Sequence, residues 1–162
     1  MIFVTIGTQV PFDRLIRAID KIAPQLEGHE IIVQAPLENY EPLHFKTVKF
    51  INPLKFQQIF DRADFIISHA GMGTILSAMS SQKTLIIMPR RLKFGEHRND
   101  HQVATANKFK SLGYVNVVED EDELQNILTN KETHKLKVSK ELGTYASDEL
   151  IQSIASFIAQ DE

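Results

Sequence analysis

Two glycines and a histidine stand close together in Ser68-His69-Ala70-Gly71-Met72-Gly73-Thr74, directly after the apolar run Phe65-Ile66-Ile67. Glycine allows another group to approach the backbone closely, and free N–H groups at a helix start attract anions. His69 is placed to donate a hydrogen bond to a diphosphate. Thr74 either donates a hydroxyl or caps the helix. The alternative is a tight turn with a satisfied histidine. The spacing matches neither G-x-G-x-x-G nor a Walker A loop, which argues against a nicotinamide cofactor and against ATP hydrolysis.

Two further segments carry chemistry of the same kind. Gly7-Thr8-Gln9 closes the first apolar run ahead of a helix begun by Pro11, a second loop-to-helix junction able to hold an anion. Residues 89–102 form the densest polar stretch, with four cations, two acids, two histidines and two amides. Within it Glu96, His97, Asn99, Asp100, His101 and Gln102 gather paired donors and acceptors at the entry to a helix. Such groups suit a hydroxyl-rich ligand, whereas a solvated loop accounts for the charges alone. His97 and His101 are four apart and share a helical face, but a zinc site needs a third protein ligand and the sequence offers none, so no metal is expected.

These residues have to be positioned by the elements around them. Apolar runs at 2–6, 30–34, 48–51, 65–68, 85–88 and 114–118 are rich in Ile, Val and Phe and barely alternate, as strands covered on both faces do. Between them helical spacing appears at 12–26, 54–62, 73–81, 99–112 and 120–128, the last opening on acids that suit a helix N-terminus. A lysine-bearing polar stretch at about 129–147 reads as a loop. Residues 146–159 then place Leu150, Ile151, Ile154, Phe157 and Ile158 on one face of a final amphipathic helix. The alternation predicts an α/β fold: a Rossmann-like open parallel sheet with helices on both faces, in one domain over 1–162. Ligands in such sheets bind outside the carboxyl ends of the strands, where all three polar segments converge.

Composition narrows the partners. The chain has 162 residues, 43% hydrophobic and 24% charged, with net charge −3, which gives no global case for nucleic acid. It has no cysteine, so disulfide and thiolate chemistry are excluded. No apolar run approaches the roughly 20 residues that span a bilayer. The N-terminal run is short and lacks a basic lead, so a cytoplasmic protein is expected, with any membrane association peripheral or through a partner.

Taken together, Val4-Thr5-Ile6-Gly7-Thr8-Gln9, Ile67-Ser68-His69-Ala70-Gly71-Met72-Gly73-Thr74-Ile75 and Met88-Pro89-Arg90 through His101-Gln102 resemble the glycosyltransferase family 28 C-terminal domain, the donor-binding C-terminal half of the GT-B fold. The similarity extends to about Val118. It includes small stand-alone subunits of split enzymes, in eukaryotic dolichol-linked saccharide assembly and in bacterial exopolysaccharide or capsule synthesis, and the run 96–102 looks most like the bacterial group. The resemblance implies a UDP-sugar donor and no cofactor. By it, Gly71, Gly73 and Thr74 contact the diphosphate with His69 and Thr8 beside them, and His101 and Gln102 hold sugar hydroxyls. Asn52 lies in the segment where the family reads uracil. The family's ribose-binding glutamate falls at Ser77 here, and Glu96 is expected to take over the ribose or sugar contact, the competing reading being a weaker, altered donor preference. Arg90, Arg91 and Arg98 make an acidic donor sugar plausible.

The same resemblance implies inverting transfer of a hexosyl group. His69 would stabilise the departing UDP, while the base and the acceptor site come from a separate, membrane-associated subunit acting on a lipid-linked saccharide. Val10, Phe12, Phe94 and the final helix are candidate partner surfaces, with core burial the alternative for each aromatic, and self-association is left open. A non-catalytic nucleotide-sugar-binding regulatory module and a flavodoxin-like binding module are the competing readings.

Overall fold

The strands interleave two cores. In the computed structural model, which describes residues 1–26, 28–129 and 136–139, β1 (Ile2–Thr5) is buried throughout. Ile2 and Val4 enter one apolar cluster, whereas Phe3 enters the other, against Phe56 and Phe60. β4 (Phe65–Ser68) and β5 (Thr84–Ile87) divide their side chains in the same way. This two-sided burial is why the sequence lacks polar alternation: every other side chain meets a different helical layer.

With β2 (Ile31–Gln34), β3 (Thr47–Val48) and β6 (Asn116–Val117), these strands form one parallel sheet in the order β3-β2-β1-β4-β5-β6. α1 (Asp13–Ile22) and α5 (Glu121–Thr129) supply residues to the first core. α2 (Pro53–Arg62), α3 (Met72–Ser80) and α4 (His101–Ser111) supply the second. The expected Rossmann-like architecture is therefore the observed one, and the order reverses between β1 and β4. Thr5 pairs with Ser68 across that switch point, and the Ser68 hydroxyl donates to the Thr5 carbonyl at 2.6 Å. The chain leaves both strands at the same edge, which is where an open α/β sheet binds ligands.

Several element ends differ from the sequence reading for local reasons. The strand expected at 48–51 is only Thr47–Val48. Asn52 caps α2 by accepting the Lys55 N–H at 2.9 Å and Pro53 opens the helix, so the chain turns over the preceding residues. α1 starts at Asp13 with Phe12 at its N-cap, leaving Pro11 outside the first turn. Phe12 is wholly buried in the first core, as the core alternative has it, and is no partner surface; Val10 and Phe94 are exposed. The polar stretch at about 129–147, apart from 129 and 136–139, and the final helix at 146–159 lie outside the described residues.

An unforeseen latch fixes the segment between β2 and β3. Asp20, 2% exposed on α1, accepts hydrogen bonds from the Tyr40 hydroxyl and from the Leu43 and His44 N–H groups. Burial alone would raise the Asp20 pKa, but these donors together hold it below the usual carboxylate value.

Candidate functional site

At the switch point the three sequence segments meet around His69. Residues 7–10 follow β1, residues 69–74 follow β4, and Arg90 follows β5. A cleft of about 310 Å³ is lined by Gly7, Thr8, Gln9, His69, Arg90, His97 and Gln102 together with Ile6 and Val10. A larger hollow of about 1030 Å³ lies under residues 37–47, but the segment between β2 and β3 alone lines it, without residues from the exits of β1, β4 or β5. Convergence of residues distant in sequence marks the smaller cleft as the candidate site.

The two glycines of the turn have different causes. A Cβ on Gly71 would overlap the His69 ring, so that glycine is required by the protein's own packing. A Cβ on Gly73 would meet nothing within 4 Å, although Gly73 lies in the first turn of α3, where glycine weakens a helix. Space is thus kept open at Gly73 without an internal reason. Gly71 is the N-cap of α3, and the N–H groups of Met72, Gly73 and Thr74 have no intrahelical acceptor. Thr74 does not cap the helix; it sits half-buried in its first turn. Gly7, at φ 75°, also adjoins the His69 ring: a Cβ there would stand 3.5 Å from Cε1.

His69 is neutral. Burial, then the positive field of Arg90, pushes its pKa down to about 4. Nδ1 lies 3.3 Å from the Ser68 hydroxyl, whose own proton goes to the Thr5 carbonyl, so Nδ1 is the protonated nitrogen and Nε2 carries the lone pair. The free ring therefore accepts rather than donates toward the glycine turn. A bound diphosphate would favour the charged ring and turn Nε2 into a donor. His97 is likewise held below its ordinary pKa, by lost hydration and then by His101 and neighbouring arginines, and its Nδ1 is buried without a partner.

The remaining predicted residues fall outside the cleft lining. Ser68 and Ala70 are buried structural neighbours, and Met72 is exposed on α3. The Asn52 side chain serves as a helix cap. Asp100 accepts the Leu92 N–H at 2.7 Å, and Asn99 is engaged by the His101 ring at 2.5 Å. His97 and His101 rings are 4.4 Å apart, but among the described residues no three His, Asp or Glu side chains are arranged to hold a metal ion.

Glu96, expected at the ribose or the sugar, is engaged by the protein itself. Its oxygens accept from Arg14 Nε at 2.5 Å and Nη2 at 3.0 Å, and from the Arg91 N–H at 2.9 Å. The pair is largely buried and ties the loop after β5 to α1. Glu96 is thus a clasp, its carboxylate engaged by Arg14 and the Arg91 N–H, and it does not line the cleft. Arg14, which sequence spacing could not single out, also reaches the Pro89 carbonyl and Glu121.

A parallel sheet of this order with its polar cleft at the switch point is the architecture of a GT-B glycosyltransferase half, and solved glycosyltransferases share the fold. The profile of the glycosyltransferase family 28 C-terminal domain matches residues 1–156, and the chain belongs to that family. The UDP-N-acetylglucosamine transferase subunit ALG13 of Candida glabrata is 26% identical over 158 residues, covering 70% of this chain and 77% of that protein. The UDP-N-acetylglucosamine--N-acetylmuramyl-(pentapeptide) pyrophosphoryl-undecaprenol N-acetylglucosamine transferase of Oceanobacillus iheyensis is 29% identical over 111 residues, covering 64% of this chain but only 29% of that enzyme. A solution NMR structure of ALG13 superposes with a TM-score of 0.55 at 25% identity, over 85% of this chain and 87% of that one. The chain thus spans less than a third of the bacterial enzyme and most of the subunit. Both named relatives are N-acetylglucosamine transferases, and neither is an exopolysaccharide or capsule enzyme by name. Among the described residues no helix is long and apolar enough to cross a membrane.

Proposed function

We propose that this chain is the donor-binding subunit of an inverting UDP-sugar hexosyltransferase that works with a membrane-associated, acceptor-binding partner. The observation that carries the reading is the turn at the start of α3: three unpaired N–H groups, an open face at Gly73, and the His69 ring beside Gly7 and Gly71. The N–H groups receive a phosphate at the positive end of the helix. As the glycosidic bond breaks, charge grows on the diphosphate, and preorganised donors there stabilise it by several kcal/mol in typical sites. His69 joins them once the anion has raised its pKa.

Gln102, 4% exposed at the start of α4, is fixed by accepting the Arg90 N–H at 3.2 Å, so its NH₂ is the end left for the sugar. Among the described residues no carboxylate lines the cleft to act as base. The base and acceptor site are therefore assigned to the partner, in keeping with the word subunit in the name of the yeast relative. The acceptor is a lipid-linked saccharide on the cytoplasmic face of a membrane; the exopolysaccharide or capsule setting rests on the run 96–102 alone. Co-expression with the adjacent gene product, followed by transfer assays from radiolabelled UDP-sugars to lipid-linked acceptor, tests the proposal. Transfer only when both chains are present supports it. Saturable UDP-sugar binding without transfer under any pairing favours a regulatory nucleotide-sugar module.

A further inference from the structure

Among the described residues, the three most exposed large apolar side chains follow one another along the edge of the sheet. Leu43 is 85% exposed, Phe50 68% and Leu54 81%, and Val48 of the edge strand β3 is exposed with them. The backbone beneath them is held in place. The Leu43 N–H donates to the Asp20 carboxylate at 3.0 Å, and the Val48 carbonyl accepts the Ala35 N–H at 3.0 Å. Ile51 is buried in the second core, and the Asn52 cap fixes the first turn of α2, which carries Leu54. Ordered backbone thus keeps apolar groups in water, and a cluster of such groups marks a surface meant for another medium.

The same stretch is locally cationic. From residue 42 to residue 60 the sequence has Lys46, Lys49 and Lys55 and no aspartate or glutamate, in a chain of net charge −3. All three lysines are exposed, and among the described residues none forms an ion pair. Cations elsewhere do pair, as Arg62 does with Glu30 and Arg91 with Glu119. Neither hollow described above is lined by Val48, Phe50 or Leu54, so these side chains project and enclose nothing. Projecting apolar groups interleaved with unpaired lysines match the headgroup layer of an anionic bilayer. The apolar groups enter it, while lysine stems lie along them and place their ammonium groups at the lipid phosphates.

We propose that the β3 edge and the start of α2 form a membrane-contact surface of this chain, which lies on an anionic leaflet with Phe50 and Leu54 entering the headgroup layer. Membrane association is then shared by this chain and does not come only through a partner. The proposal goes beyond the donor reading and does not depend on it. A chain that binds vesicles but no uridine nucleotide keeps the surface, and one that binds UDP but no vesicle loses the surface alone.

Flotation of the full chain, without any partner, on phosphatidylcholine vesicles made with and without phosphatidylglycerol tests this. Wild type should float with the anionic vesicles, poorly with the neutral ones, and less at high salt. Lys46→Gln/Lys49→Gln/Lys55→Gln and Phe50→Ser/Leu54→Ser should each lower the partition coefficient by about tenfold or more, with melting temperatures near that of wild type. No flotation of wild type overturns the proposal, as does flotation that neither variant changes. Loss in the lysine variant alone also overturns it, because the attraction is then charge without insertion. A wild-type dimer in light scattering that Phe50→Ser/Leu54→Ser dissolves, with no vesicle binding, overturns it in favour of a second copy on this face. Should a multiple variant not fold, the absence of native cysteine provides a local probe. An environment-sensitive dye on Leu54→Cys should shift to the blue with anionic vesicles while the same dye on Lys108→Cys, exposed on α4, does not. An unchanged spectrum at position 54 overturns the proposal.

Discussion

The imidazole of His69 fills the volume that a side chain on Gly71 would need, while Gly73, two residues on, faces open space. One glycine therefore serves the protein and the other is free to serve a ligand. Gly71→Ala displaces the His69 ring, and we expect a lower melting temperature together with at least a tenfold loss of UDP affinity. Gly73→Ala has no clash to relieve and removes a poor helix former, so it should stabilise the fold by about 0.5–1 kcal/mol. It should nevertheless weaken UDP binding, because the methyl group stands where the phosphate approaches. Thermal melts and calorimetry on the two variants check the opposed signs.

The state of His69 gives a pH signature. Its pKa, about 4 in the free protein against an ordinary 6.5, means the unfolded chain takes up the proton first on acidification. This group's contribution to stability is thus complete above pH 6.5 and is lost as pH falls toward 4, by about 3 kcal/mol in all. Bound UDP places negative charge beside the ring and should raise its pKa. Following the His69 ring resonances by NMR, with and without UDP, measures both values; a pKa near 6.5 in the free protein would contradict the buried, neutral assignment.

The Arg14–Glu96 clasp yields a separation of stability from binding. Removing Arg14 leaves a largely buried carboxylate unpaired, and Arg14→Ala should cost about 3 kcal/mol in denaturant unfolding. Glu96→Gln keeps one acceptor oxygen and should cost about half as much. Since Glu96 faces Arg14 rather than the cleft, the same variant should change UDP-sugar affinity by less than about threefold. A tenfold loss of affinity with unchanged stability would return Glu96 to the role of ribose contact.

Asp20 supports a prediction far from the site. Asp20→Ala strands the Leu43 and His44 N–H groups and the Tyr40 hydroxyl, at a cost of about 3 kcal/mol. Because its native pKa is depressed, the Asp20 contribution is present above the ordinary carboxylate pKa and is lost as pH falls through the lower native value. Urea midpoints for wild type and Asp20→Ala should therefore converge on acidification.

The central strands were legible because burial on both faces imposes unbroken runs of Ile, Val and Phe, and β4 has the ends its run predicts. The edge strands were not. β3 and β6 pair on one side only, and cap chemistry at Asn52 cut the former short. Within the site, Gly7, His69, Arg90 and Gln102 could be read from loop composition at strand exits. The reason for Gly71 and the destination of Glu96 could not. Each depends on a partner brought near by the sheet, as Arg14 is to Glu96 across 82 positions, and no local spacing encodes that.

The claim on which the account rests is that the exits of β1, β4 and β5 form one uridine diphosphate pocket. Amide NMR of the labelled chain titrated with UDP tests it directly. We predict saturable shifts concentrated at Gly7, Thr8, His69, Gly73, Thr74 and Gln102. Shifts centred instead on the hollow under residues 37–47, or no saturable change at all, would contradict it.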